Sequence, residues 1–138
     1  MIYPVITDNK KRGEWAEALF IAHALSRGWE VFTEQGDSSS YDVIISKGNT
    51  MRTIQIKSTF GINQTRSSWT VSRGSKKKIP YHSGLDFFAL YCNHSDVWRF
   101  IRPSQIAGRT TFSIRHDDNK TKQNWHELEN NTNSSKIS

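Results

Sequence analysis

Tyr41-Asp42-Val43-Ile44-Ile45-Ser46, Lys47-Gly48-Asn49-Thr50 and Met51-Arg52-Thr53-Ile54-Gln55-Ile56-Lys57-Ser58-Thr59 follow one another without a break, and their reading decides the fold. The apolar run Val43–Ile45 makes Tyr41–Ser46 a strand. Lys47–Thr50 reads as a hairpin turn, although Asn-Gly in the reverse order is the stronger signal. Met51–Thr59 is then the return strand. Side chains alternate along it, so Ile54 and Ile56 face the core while Gln55 and Lys57 share the other face. The hairpin brings Asp42 alongside that polar pair. A carboxylate, an amide oxygen and an ammonium thus meet on one small patch.

Working outward, Asp8 or Asn9 is suited to cap a helix running through Gly13–Ser26. Trp15, Ala18, Leu19, Ala22 and Leu25 recur at helical spacing and are the expected apolar face. Gly28 suits the left-handed stop. Trp29–Thr33 is a short strand, closed by the turn-rich Gln35–Ser40. Downstream, Ser67–Ser72 alternates Trp69 and Val71 with polar neighbours. Phe87–Tyr91 is a buried strand, paired with Val97–Ile101 through a turn at Asn93–Asp96. Pro103 ends that strand, and a last one runs Thr110–Arg115. The expectation is an α/β fold: a mixed, mainly antiparallel central sheet of four or five strands flanked by helices. One domain spans residues 1–129, and the Asn- and Ser-rich 130–138 is expected to be a disordered tail.

Charge is segregated along the chain. Between Val43 and Leu85 there is no Asp or Glu, while Lys47, Arg52, Lys57, Arg66, Arg73, Lys76, Lys77 and Lys78 give eight positive charges. The 13 acidic residues divide into seven before that window and six after it. With a net charge of +6, this favours a polyanionic partner. Arg66, Arg73, Lys76, Lys77 and Lys78 are read together as contacts to a phosphate backbone; the plain alternative is a solvated basic loop. Trp69 and Tyr81 within this region are read as core more readily than as base contacts. The single cysteine, Cys92, excludes an internal disulfide. No apolar run approaches the roughly 20 residues of a membrane span, so a soluble, cytoplasmic protein with no membrane partner is expected.

Phosphodiester hydrolysis needs the groups that meet at the hairpin. A hard cation such as Mg²⁺ prefers oxygen ligands, and Mn²⁺ can substitute for it. A lysine places positive charge where the transition state gains negative charge. Gln55 is neutral, so a further acid is wanted, and Glu17 on the helix is the candidate, with Glu14 competing. The plain alternative for Asp42 and Lys57 is an ion pair between neighbouring strands. Gln55 and Glu17 also read as ordinary polar side chains, and Ser58 as either a phosphate donor or a strand-end serine. No histidine has metal-ligand spacing with another His or Cys. Asp86, ahead of a buried strand, is read as structural.

Gly13-Glu14-Trp15-Ala16-Glu17, Gly28-Trp29, Tyr41-Asp42-Val43-Ile44 and Ile54-Gln55-Ile56-Lys57-Ser58 together resemble the PD-(D/E)XK nucleases. Within them the chain is similar to the group I intron-associated homing endonucleases of cyanobacterial type, and also to archaeal Holliday junction resolvases. The resemblance continues through Asp86–Tyr91, Trp98–Pro103 and Asn124-Trp125, covering roughly residues 9–128. It implies a restriction-endonuclease-like core, metal-site roles for Glu17, Asp42 and Gln55, and a catalytic role for Lys57. Tyr41 stands where the motif has proline, and Gln55 replaces its second acid, as in active members of the intron-associated branch.

The expected activity is Mg²⁺-dependent cleavage of double-stranded DNA by a homing-type endonuclease. One centre cuts one strand per visit, so a homodimer or homotetramer is expected. A structure-selective junction resolvase and a non-catalytic DNA-binding nuclease fold are the rival readings, with RNA a more distant one.

Overall fold

The computed structural model describes residues 6–33, 41–61, 63–73, 79–80, 84–106 and 108–130. Asp8 caps α1 (Asn9–Ser26), its side chain accepting from the Lys10 N–H at 3.0 Å. The helix ends where Gly28, at φ 90°, lets the Arg27, Gly28 and Trp29 N–H groups fold back onto the carbonyls of Ala24 and Leu25. The buried row of α1 is Ala16, Phe20 and Ala24. Trp15 and Leu19 are only partly buried, while Ala18, Ala22 and Leu25 are exposed. The expected apolar face is therefore rotated. Two small residues flanking Phe20 let the helix sit close on the sheet, and that closeness outweighs the larger Leu25.

Nine strands follow: β1 (Glu30–Thr33), β2 (Val43–Lys47), β3 (Thr50–Thr59), β4 (Arg66–Thr70), β5 (Ser72–Arg73), β6 (Ile79–Pro80), β7 (Phe87–Cys92), β8 (Val97–Ile101) and β9 (Thr111–Arg115), among the described residues. The central sheet is five-stranded, in the order β1-β2-β3-β7-β8. Only the β3–β7 pair is parallel, so the sheet is mixed and mainly antiparallel as expected. Every residue of β7 is buried, because both faces of the sheet are covered. Phe87, Ala89 and Tyr91 lie under α1 in an aromatic core with Phe20, Trp98 and Trp125. Phe88, Leu90 and Cys92 meet Trp69, Val71 and Ile106. The cover on this second face is the antiparallel pair β4–β9 and the short 3-10 turn Pro103–Ile106, in place of the expected α-helix. Alternation of Ser67 and Trp69 in β4, continued by Val71 just beyond it, gives the buried side that fits there.

Two side-chain arrangements fix this sheet, one between two central strands and one at an edge. Asp86 Oδ2 accepts from the Thr53 N–H at 2.9 Å, and the Asp86 N–H donates to Thr53 Oγ1 at 2.9 Å, which aligns β7 beside β3. The outer edge of β8 is closed by Gln123 and Asn124. Asn124 accepts from the Phe100 N–H at 2.8 Å and donates to the Phe100 carbonyl at 3.0 Å, as a further strand would. No described helix is long and apolar enough to cross a membrane.

The pairing of β2 with β3 stops at Val43↔Ile54. Beyond it, Gln55 to Thr59 keep β7 on one side and have left β2 on the other. Asp42 stands at that fork.

Candidate active site

Asp42 closes the fork with three hydrogen bonds. Its N–H donates to the Ile54 carbonyl at 2.8 Å. Its Oδ2 accepts the Ile56 N–H and the Gln55 side-chain amide, each at 2.9 Å. Ile56 faces the α1 core as the alternation demands. Gln55, on the opposite face, is as buried as Ile56, each 8% exposed, which makes it an organised part of the site rather than loose surface.

The electrostatics join five side chains. Burial raises the Asp42 carboxyl above its ordinary value, and the Ile56 N–H, the Lys57 ammonium and the Gln55 amide pull it back. Burial lowers Lys57, against the opposing effect of Asp42. Glu17 is raised by burial first, then by the negative charges of Asp42 and Glu14. Lys57 and Glu17 therefore both lie within electrostatic reach of Asp42, one from β3 and one from α1.

Among the described residues no three His, Cys, Asp or Glu side chains come close enough to share a metal ion. The oxygens gathered at the fork are a carboxylate and an amide, with Glu17 adding a second carboxylate charge. Such a set fits a hard divalent cation that keeps several waters. Asp42 Oδ1 and Gln55 Oε1 stand outside the hydrogen bonds just named. A cation there would offset the repulsion that raises Glu17 and Asp42.

Of the residues expected to contact DNA, the described ones lie on three strands. Ser58 is half-buried on β3, beside Lys57 in an open cleft. Arg66 is exposed on β4, bonded to Ser113 Oγ at 3.1 Å. Arg73 falls in β5. Lys76, Lys77 and Lys78 lie outside the described residues, as does Tyr81 and the tail 131–138. Trp69 is core, its indole N–H donating to the Tyr91 carbonyl at 2.9 Å. The cleft holding Ser58 also contains Asn9 and Arg12, which the sequence reading passed over. The run Lys10-Lys11-Arg12 at the start of α1 was the available signal.

The mixed sheet thus forks at an acid, with a lysine two residues beyond the neighbouring amide. The chain belongs to the PD-(D/E)XK endonuclease family, whose pattern matches residues 7–132. Members of that family generally use divalent metal ions. The fold is similar to that of the bacterial homing endonuclease I-Ssp6803I, with a TM-score of 0.74 at 19% identity over 96% of this chain and 100% of that one. It is also similar to Hjc, a Holliday junction resolvase from the archaeal hyperthermophile Archaeoglobus fulgidus. There the TM-score is 0.51 at 14% identity, over 76% of this chain and 84% of that one. No curated protein matches the chain.

Proposed function

We propose that this chain is a Mg²⁺-dependent endonuclease that hydrolyses phosphodiester bonds of double-stranded DNA, of the site-specific homing type, with Mn²⁺ able to substitute. The observation that carries the reading is the fork: Asp42 bonded to Gln55 and Ile56, with Lys57 and Glu17 in electrostatic reach. Asp42, Gln55 and Glu17 would hold the metal. When bound, the cation supplies positive charge that polarises the scissile phosphate. Lys57, as an ammonium, stabilises the charge that accumulates on the phosphate oxygens as the bond breaks. Burial of Lys57 strengthens that interaction by removing competing water.

Ser58, Arg66, Arg73, Lys76, Lys77 and Lys78 contact the backbone, which positions the duplex without specifying sequence. A single centre cuts one strand, so a double-strand break calls for a homodimer or homotetramer. The test is nicking of supercoiled DNA with Mg²⁺ and its loss in EDTA.

The Gln55–Asp42 bond also favours a second reading, a DNA-binding nuclease fold that does not cut, because it engages the neutral residue that replaces an acid. Salt-sensitive binding without Mg²⁺-dependent nicking decides for that reading. Preferential cleavage of a four-way junction over a linear duplex decides for a resolvase.

A further inference from the structure

The cleft beside Lys57 has a volume of about 400 Å³. One wall is the first part of α1, with Asn9, Arg12 and Gly13; the other is the end of β3 from Ile56 to Thr59, followed by Phe60. Ile56 to Thr59 belong to the length of β3 that has parted from β2, and Lys57, within electrostatic reach of Asp42, lines the cleft. No acidic side chain lines it among the described residues.

Arg12 is held in place from two sides. Its Nε donates to the Ile6 carbonyl at 2.6 Å, and its guanidinium carbon stands 4.6 Å from the centre of the Phe60 ring. The two Nη groups make no hydrogen bond among the described residues. A guanidinium fixed through Nε and a ring face, with its outer fork open, suits bidentate recognition of phosphate. Gly13 adds room: a Cβ placed there meets nothing within 4 Å.

We infer that this cleft takes the DNA strand next to the cut, Arg12 gripping a phosphate that flanks the one attacked at Lys57. The inference rests on the endonuclease reading and names how that site holds its substrate. Arg12 is a positioning residue: it fixes the register of the strand against Lys57 and Asp42.

Three variants test it. Arg12→Gln weakens duplex binding on the order of tenfold and lowers the salt slope of binding by about one. Arg12→Lys keeps the charge without the fork, so it restores the slope but not the cleavage rate. Gly13→Leu fills the cleft while improving helix propensity, so it raises the melting temperature yet slows cleavage. A purely structural role for this region predicts that stability and rate move together.

The position is then read with duplexes carrying one neutral methylphosphonate on either side of the mapped cut. One of the two slows the wild type about as much as Arg12→Gln does, and the two changes do not add. Additive effects at both positions, or an unchanged salt slope in Arg12→Gln, overturn the inference while leaving the endonuclease reading intact. A wild type that never nicks with Mg²⁺ overturns that reading itself, and the inference with it.

Discussion

The side-chain amide of Gln55 donates to Asp42 Oδ2 at 2.9 Å, so the residue standing in for an acid is bonded to the acid beside it. Gln55→Glu replaces that donor with a second carboxylate on a buried oxygen. In EDTA the variant is expected to lose about 1–3 kcal/mol of stability. Added Mg²⁺ restores it, and half-maximal cleavage moves to lower Mg²⁺ concentration. Thermal melts with and without Mg²⁺ measure the first effect, and Mg²⁺ titrations of nicking measure the second.

Stability against pH follows from the raised acids. Glu17 and Asp42 have folded-state pKa values above their ordinary ones. The folded chain therefore binds protons more tightly than the unfolded chain. Their contribution is fully favourable below the ordinary carboxylate range and is lost as pH rises through the raised values. Asp42→Asn keeps the acceptor for Gln55 and Ile56 but removes the charge. At neutral pH without metal it is expected to melt above the wild type, and the difference should vanish at pH 3.

Asp86 sits close in sequence to the site's neighbouring strand and yet serves alignment. Asp86→Ala removes the acceptor of the Thr53 N–H and is expected to cost about 1–3 kcal/mol. Cleavage per folded molecule should be unchanged. Urea melts and active-fraction-corrected rates separate the two.

What could be read from the sequence was what lies close along it. Asp42, Gln55 and Lys57 are joined by one hairpin, so strand alternation alone placed them together. Gly28 and the β7–β8 hairpin were legible for the same reason. Pairings set by distant packing were not. The β4–β9 cover joins Arg66 to Arg115, and no local pattern announces such a partner. The α1 face was misread because Ala16 and Ala24 earn burial by smallness, which hydrophobic periodicity undervalues. Asn124 and Gln123 look like loop residues, yet their amides complete the sheet edge.

The basic segment makes its own prediction. Replacing Lys76, Lys77 and Lys78 together should weaken binding across all sequences and lower the salt slope by up to about three. Titrations at several salt concentrations measure it. An unchanged slope removes the segment from the interface.

The fork itself is tested most directly by plasmid nicking in Mg²⁺ with Lys57→Ala and Asp42→Asn, duplex binding being measured on the same samples. The predicted result is loss of cleavage by at least about a hundredfold in each, with binding largely retained. Wild-type cleavage by either variant would contradict the account.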